Sequence, residues 1–312
     1  ELTGCSQGTS NSAKNGTTGS ENTIISESDI AILYTEDMFT ERDRDTEYDE
    51  SECTAISLSD EETKCDSDGV KMDGQTVTIT EGGTYLLTGS LSNGSVVIDT
   101  DKTEKVQLIL ENVSIINEEG AGICVEQADK VFITLADGST NKIVSNSFTG
   151  NEDTNIDGAI FSREDLTLNG SGTLKITSAA HGIVSKDDLV LTGGVYQIQS
   201  EKQGLSGKES VRIADGTFTI TSGTDAIHSE DTDEDTKGFV YITGGVLTLA
   251  AGGEGISSSY VVQADGGSFD ISTSSTETDT STKGIKAQKY VILKDGTYQL
   301  ATADDGIHCN GN

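Results

Sequence analysis

The stretch GIVSKDDLVLTGGVYQI at residues 182–198 recurs along the chain, and this repetition decides the fold. Related segments begin at residues 159, 204, 226, 255, 284 and 306. The repeat is about 22 residues long, with a longer loop in two units, and each unit holds three short strand-like segments separated by Gly, Asp or other polar residues. No unit has room for an amphipathic helix. Because a period in the twenties built only from strands is typical of a solenoid, we expect an all-β parallel β-helix with three sheets.

Equivalent positions of successive units are expected to stack as columns of core side chains. The first predicted column consists of Ile183, Leu205, Ile227, Ile256, Ile285 and Ile307. The second consists of Leu174, Tyr196, Phe218, Leu247, Phe269 and Tyr298. Cys309 falls in a column of small residues, so we expect it, like Cys124, to be a buried structural thiol rather than a reactive one.

The sequence LTGC at residues 2–5 has the pattern of a bacterial lipobox, in which the sulfur of the Cys becomes lipid-modified. The apolar segment of a signal peptide does not precede it, so we interpret the chain as a fragment that begins inside its signal sequence. We predict lipid attachment at Cys5 and, over residues 1–24, a lipobox remnant followed by a flexible tether. The β-helix domain then covers residues 25–312, and its acidic part, 25–70, lacks a full repeat and is predicted to cap the open end.

The composition excludes several classes of protein. There are 53 acidic residues against 20 Lys and Arg, a net charge of −33, which would repel the backbone of a nucleic acid. No window approaches the roughly 18 apolar residues of a membrane-spanning helix. The absence of Trp argues against crystalline cellulose as the main ligand, because Trp is the commonest stacking platform for neutral sugars. Cys53 and Cys65 form either a disulfide or a reduced pair. The sequence contains no CxxC pair, so a structural zinc site is not expected.

Charged side chains also stack in rows on the outside of the predicted β-helix, since neighbouring coils lie about 4.8 Å apart. The rows are Arg163, Lys186 and Lys208, then Glu164, Asp187 and Glu209, then Asp165, Asp188 and Ser210. Like charges at this spacing repel, so either the basic row offsets the acidic ones or Ca²⁺, which takes several carboxylate oxygens, binds there. The best three-carboxylate cluster is Asp165, Asp187 and Asp188, with Asp157 one turn away as a candidate fourth ligand.

An acidic insertion at residues 230–235 is a second candidate for calcium, because Asp231 and Asp233 stand on alternate positions. It lacks the Gly and the closing Glu of an EF-hand, with Thr236 and Ile242 in their places, so an EF-hand is excluded. A solvated acidic loop explains the insertion at least as well as a metal loop does.

A calcium site beside a lysine would suit β-elimination on an acidic sugar, in which the metal binds the uronate carboxylate and a desolvated base removes the C5 proton. Lys186 or Lys208 would be that base. Both are as easily explained as counter-charges of the acidic rows. The three His residues lie too far apart along the repeat to share one metal, and no nucleophile–His–acid triad follows from the spacing.

Several segments resemble a family of bacterial carbohydrate-binding parallel β-helix proteins that bind polygalacturonic acid and cellulose. They are TYLLTGSLSNGSVVID, GICVEQADKVFITLADGSTN, DGAIFSREDLTLNGSGTLKIT, HGIVSKDDLVLTGG and TDEDTKGFVYITGG. The resemblance covers the chain from about residue 30 to its end. It implies a right-handed, single-stranded parallel β-helix like that of pectate lyases, bound Ca²⁺, and no assured lyase activity. The implied calcium ligands are Asp157, Glu164, Asp165, Asp187, Asp188, Asp231 and Asp233.

One residue departs from the pattern of this family. His181 occupies the position at which Asp225 and Asp305 begin their units. A ladder of metal ions along that row needs an oxygen ligand in each unit. A regular ladder is therefore not expected there.

The sequence thus predicts calcium-dependent, non-catalytic binding of acidic polysaccharide, of the polygalacturonate or pectin type, by an extracellular protein that is lipid-anchored at the bacterial cell surface. Calcium would bridge protein carboxylates to sugar carboxylates, because the net charge of −33 otherwise opposes such a ligand. Two alternatives stay open: a pectate-lyase-like enzyme that acts by β-elimination, and a structural surface rod without a ligand.

Overall fold

The computed structural model describes residues 38–149, 154–274 and 282–311. These residues form one short helix, α1 (Glu41–Arg44), and 29 strands in three sheets, here named A, B and C. Sheet A contains β1 (Thr54–Leu58), β4 (Gly83–Leu91), β6 (Lys105–Leu110), β9 (Lys130–Leu135), β12 (Asp165–Gly170), β15 (Asp188–Leu191), β18 (Ser210–Ile213), β21 (Phe239–Ile242), β24 (Val261–Ala264) and β27 (Tyr290–Leu293). Sheet B contains β2 (Val70–Asp73), β3 (Thr76–Ile79), β5 (Ser95–Asp99), β8 (Ile123–Gln127), β11 (Gly158–Ser162), β14 (His181–Ser185), β17 (Leu205–Gly207), β20 (Ile227–Ser229), β23 (Ile256–Ser258), β26 (Ile285–Ala287) and β29 (Ile307–Cys309). Sheet C contains the end of β4 with β7 (Ser114–Asn117), β10 (Thr140–Ser145), β13 (Thr173–Ser178), β16 (Val195–Ser200), β19 (Thr217–Ser222), β22 (Val246–Ala251), β25 (Ser268–Thr273) and β28 (Thr297–Ala301).

Each coil passes through sheets B, A and C in turn, and each strand pairs in parallel with its equivalent in the next coil. Only β2 pairs antiparallel, with β3, among the strands described. The result is a parallel β-solenoid of about nine turns, which confirms the predicted fold. Parallel sheets of this kind are buried on the inner face, because the chain encloses its own core.

The two predicted core columns are confirmed by the strand register. In sheet B, Ile183 pairs with Leu205 and lies fully buried, and the column ends at Ile307, which is 37% exposed in the last strand. In sheet C, the rings of Tyr196 and Phe218 stack with their centroids 4.9 Å apart and their planes 6° apart. The repeat length therefore places residues of similar type, aliphatic over aliphatic and ring over ring in the pairs above, directly over one another, which gives the core its ladders.

In the coils from β12 onward, a Gly residue makes the corner between sheets A and C. Gly170 shows the reason, since its φ is +97° and a Cβ atom there would lie 2.2 Å from the backbone oxygen of Leu135. Only Gly adopts this conformation at so close an approach without strain. The equivalent corners have positive φ at Gly194, Gly216, Gly245, Gly267 and Gly296.

The cysteines contribute no cross-link within the described part of the chain. Cys53 and Cys65 are not bonded to each other, so the structure supports the reduced pair. Cys124 is buried as predicted, and burial, the largest cause, raises the pKa of its thiol far above the usual value. Cys309 occupies the predicted column of small residues but is only half-buried, because it lies in the last strand of sheet B.

The N-terminal part of the domain closes the first coil and also covers one side of the solenoid. Strand β1 joins sheet A beside β4, and β2 folds back on β3, so both close the first coil. Residues 38–45, here called the strap, instead lie along the outer face of sheet A, from β21 back to β6. The described part of the predicted cap, residues 38–70, is therefore divided between the end and one side of the solenoid. Residues 1–37, with Cys5 and the predicted tether, lie outside the described residues.

No helix among the described residues is long and apolar enough to cross a membrane.

Candidate functional site

The outer face of sheet B carries a groove that crosses several coils. Alternation along each short strand turns its first residue inward and the next outward, so outward residues of successive coils form a row. This row contains Val184, Ser206, His228, Ser257, Lys286 and His308. Two adjoining cavities, of about 330 and about 230 Å³, lie over it and share His228 and Glu230 as a common wall. We call these two cavities the sheet B groove.

The first cavity of the groove contains both lysines that were candidates for a catalytic base. Lys186 Nζ lies 3.5 Å from Asp157 Oδ1, and Lys208 Nζ lies 2.7 Å from Asp233 Oδ2. The hydrogen bond that Lys208 donates to Asp233, together with the negative charge of Asp231, raises the pKa of Lys208. A base in β-elimination needs a lowered pKa, so Lys208 is protonated and acts as a counter-charge in this arrangement.

The second cavity contains a hydrogen-bonded cluster that the sequence reasoning missed. Asp225 Oδ2 lies 3.0 Å from His228 Nδ1 and accepts a hydrogen bond of 2.6 Å from Ser257 Oγ. Its Oδ1 accepts the backbone N–H of Glu254 at 2.8 Å. Burial raises the pKa of Asp225, but these hydrogen bonds outweigh it and lower the pKa to about 2. Asp225 is therefore an ionised acceptor that orders the groove wall.

This cluster does not have the geometry of a hydrolytic triad. His228 Nδ1 contacts both Ser257 Oγ, at 2.7 Å, and Asp225, while its Nε2 faces Glu230 at 3.7 Å. In a triad the two ring nitrogens divide these tasks, one facing the acid and the other the nucleophile. A signal for the cluster was present in the sequence, because the spacing Asp-x-x-His recurs at Asp305 and His308, whose side chains lie 3.1 Å apart.

His181 lies beside the groove in the neutral form. Burial, the largest cause, lowers its pKa to about 4, and Lys202 and Lys186 act in the same direction. Its Nδ1 accepts the backbone N–H of Gln203 at 3.2 Å. The His that departs from the Asp pattern therefore replaces the carboxylate as an acceptor for the next coil.

Four of the predicted calcium ligands are engaged with other groups. Asp157 lies beside Lys186 and 3.6 Å from His181, and Asp188 pairs with Arg212. Asp231 closes its own loop by accepting the backbone N–H groups of Asp233 and Glu234 at 2.7 and 3.0 Å, and the Asp233 carboxylate pairs with Lys208. Each of these four carboxylates already has a cationic or N–H partner.

Crowding of carboxylates remains around Asp187, next to the first cavity. Burial, followed by the charges of Asp165, Glu209 and Asp188, raises the pKa of Asp187 to about 7. Asp165 and Asp188 lie in adjacent strands, and the backbone N–H of Asp188 donates to Asp165 Oδ1 at 3.3 Å. Glu164 lies between these strands and the groove, where its backbone oxygen accepts the hydroxyls of Ser162 and Ser185.

Within the described ranges, no three His, Cys, Asp or Glu side chains form a group that could hold a metal ion. The crowded carboxylates near Asp187 repel one another, and a cation would relieve that repulsion. The seven-residue calcium set stays a prediction.

Most of the chain matches a known protein family. Residues 73–312 match the family of carbohydrate-binding domain-containing proteins. A curated relative with the same description, from Acetivibrio thermocellus, is 33% identical over 137 residues, which are 43% of this chain and 48% of the relative. The matching segment thus spans about half the length of that relative.

A solved structure shares the fold over most of the chain. It is described as the polysaccharide lyase-like protein from C. thermocellum, in a gadolinium derivative. The TM-score is 0.70 at 30% identity, and the alignment covers 79% of this chain and 100% of the other. The likeness supports both the β-solenoid and carbohydrate binding in general. Since the family match covers well over half of its residues, this chain belongs to the family of carbohydrate-binding domain-containing proteins.

Proposed function

We propose that the protein binds acidic polysaccharide, of the polygalacturonate or pectin type, without cleaving it, in the sheet B groove. The observation that carries the proposal is the groove itself, a row of hydroxyl, imidazole, carboxylate and ammonium groups on a member of a carbohydrate-binding family. The rigid register repeats these groups about every 4.8 Å along the solenoid, which suits several hydrogen bonds to a chain of sugars. The lysines of the groove are ion-paired with Asp157, Asp233 and Glu254, and their ammonium groups have further N–H donors for oxygen atoms of the ligand.

Calcium is the second part of the proposal. A net charge of −33 opposes an anionic ligand, and a divalent cation held near Asp165 and Asp187 would link the carboxylates of protein and sugar. The related solved structure is a gadolinium derivative. Gadolinium, like calcium, is a hard cation that prefers oxygen ligands. Cys5 would anchor the protein at the bacterial cell surface, as the lipobox pattern predicts.

A lyase is the second candidate, because the related structure is described as polysaccharide lyase-like. The raised pKa of Lys208 argues against it, since a protonated ammonium cannot remove the C5 proton. Unsaturated sugar products absorb ultraviolet light and would reveal elimination.

The experiment is a calorimetric titration of the Ca²⁺-loaded and the EDTA-treated protein with polygalacturonate, with ultraviolet absorbance followed in the same samples. Heat that depends on calcium, without a rise in absorbance, is the expected result. A rise in absorbance would establish the lyase, and no heat in either state would favour the structural rod.

Matched variants locate the binding site. His228→Ala and Lys286→Ala alter the groove, whereas Thr219→Ala alters the exposed outer face of sheet C. We expect the first two to weaken binding by about tenfold each and the third to leave it unchanged. Equal effects of all three would place the ligand elsewhere.

A further inference from the structure

The strap is bound to the outer face of sheet A through the buried carboxylate of Asp43. Asp43 Oδ1 lies 2.8 Å from Lys130 Nζ and accepts a hydrogen bond of 2.8 Å from Thr167 Oγ1. The Asp43 side chain is 2% exposed and that of Lys130 is 15% exposed. Although burial raises the pKa of Asp43, Lys130 and Thr167 outweigh it, so the pKa lies below its usual value. The contact is therefore a charged one, from which water is largely excluded.

Side chains of sheet A also bind the backbone of the strap. Asn169 Nδ2 donates to the backbone oxygens of Asp43 and Asp45, at 3.2 and 3.0 Å, and Thr192 Oγ1 donates to that of Asp43 at 2.7 Å. Arg212 donates to the strap in the same way from a later coil. Sheet A thus presents hydrogen-bond donors, and oxygen atoms of the strap accept these hydrogen bonds. The hydroxyl or carboxylate oxygens of a ligand would accept them in the same way.

The rest of the covered face is polar and aromatic rather than aliphatic. Gln107 donates to Thr134 at 3.0 Å and Thr134 donates to Asn169 at 2.7 Å, and all three are almost fully buried. The rings of Phe132 and Tyr241 lie on the same face, under Arg42 and Phe39 of the strap. Rings beside convergent hydrogen-bonding groups and a fixed ammonium are the chemistry that recognises an acidic sugar.

We propose that this face of sheet A is a second saccharide site, for a sugar chain that carries carboxylates, and that the strap occupies it with the Asp43 carboxylate in the place of a uronate carboxylate. A segment that served only to cover a sheet would bury apolar side chains, whereas the fully buried side chain of this one is a carboxylate, and Phe39, which packs on Tyr241, is only partly buried. The inference goes beyond the proposed function, because it concerns a different sheet, sheet A, and a lysine, Lys130, rather than calcium.

The strap is suited to exchange with a ligand. Its helix, α1, is a single turn of four residues, which has little stability of its own. A buried ion pair gains little over its two solvated ions, so the Asp43–Lys130 pair adds only modestly to the hold of the strap. A ligand that makes the same contacts therefore competes directly with the strap, and loss of the strap's carboxylate shifts the equilibrium towards the open face.

The test is a titration of the full chain with hexagalacturonate in EDTA, so that calcium-dependent binding in the groove is absent. We compare the unaltered protein with Asp43→Ala, Lys130→Met and the double variant, all of which break the same ion pair. Asp43→Ala is expected to bind about tenfold more tightly than the unaltered protein, and both variants that lack Lys130 are expected to show no gain. Equal binding by Asp43→Ala and the unaltered protein would overturn the proposal, as would a gain that persists in the double variant.

Two further measurements keep the test independent of folding and of the groove. If Asp43→Ala does not fold, Asp43→Asn keeps an oxygen for Thr167 without the charge, and the same gain is expected. Cellohexaose, which has no carboxylates, should give no gain with either variant, and a gain would overturn the ligand class. Calcium-dependent binding by the unaltered protein is measured separately, so its absence would end the proposed function and leave the Asp43→Ala result standing.

Discussion

The outer faces of sheets A and B differ in how their polar groups are satisfied, although one repeat builds both. On sheet A, Asp43 of the strap comes from more than 80 residues before its partners and buries Lys130, Thr167 and Asn169. On sheet B, Asp225 bonds His228 of its own coil and Ser257 and Glu254 of the next coil, and the groove stays open. The solenoid thus supplies rows of polar groups on both faces, and a segment outside the repeat decides which face solvent and ligands reach.

The largest expected effect is a loss of stability from a substitution in the hydrophobic core, which both faces share. Phe218 is fully buried and stacks on Tyr196. Phe218→Ala removes this stack and leaves a cavity, so we expect the free energy of unfolding to fall by about 3–5 kcal/mol. Chemical denaturation measures it. Groove and strap should lose hydrogen-exchange protection together, and loss at one face alone would show that the faces fold as separate units.

The second largest expected effect is a loss of stability at the covered face of sheet A. Asp43→Ala removes the charged hydrogen bonds to Lys130 and Thr167, and water reaches Lys130 when the strap opens, so we expect a loss of about 2 kcal/mol of stability, with the strap amides exchanging faster. Asp45→Ala is the matched control, because Asp45 pairs with Arg42 at the exposed edge of the same strap and should change stability by less than about 1 kcal/mol. Equal losses in the two variants, measured by urea denaturation, would contradict the distinction between buried and exposed anchors.

A smaller expected effect is a pH dependence of stability, which comes from His181 beside the open groove of sheet B. His181 has a pKa of about 4 when folded, below the 6.5 of an unperturbed His, so protons bind the unfolded chain more readily between these values. The contribution of His181 is fully present above pH 6.5 and is lost as the pH falls towards 4. His181→Gln keeps an acceptor for the Gln203 N–H but does not titrate. We expect its melting temperature to fall a few degrees less than that of the unaltered protein between pH 6.5 and 4.

The smallest effect concerns the carboxylates at the edge of the groove. Asp187 has a folded pKa of about 7, raised from 3.8, so its protonated form favours folding and this contribution is lost as the pH rises from about 4 to 7. Asp187→Asn should remove this slope and raise the melting temperature slightly at pH 7 without calcium. If the carboxylates bind calcium, added Ca²⁺ will stabilise the unaltered protein more than the variant. Glu119→Gln, outside the cluster, serves as the control, and identical calcium responses of all three proteins would contradict a site at Asp187.

The sequence predicted the parts of the site that lie in the repeat. The rows containing Lys186, Lys208, Asp187 and Asp188 follow from the period alone, since register converts a sequence interval into a neighbour in space. Which partner each charge selects did not follow, because partners such as Asp157 and Asp233 come from loops between the repeats. The Asp225–His228–Ser257 cluster was missed for a related reason, since it joins two coils through side chains whose direction the period does not specify.

The solenoid, its core columns and the position of Gly and polar residues between its strands follow from the sequence alone. These depend on local alternation and on contacts between equivalent positions, which repeat at each period and so can be read along one dimension. Only the tertiary structure decided that the strap covers sheet A and that sheet B stays open. The strap contacts residues such as Lys130 and Arg212 in distant coils, and no periodic pattern encodes so irregular a pairing. The free energy that places a non-repeating segment comes from the fit of its particular side chains, and that fit exists only once the solenoid has formed.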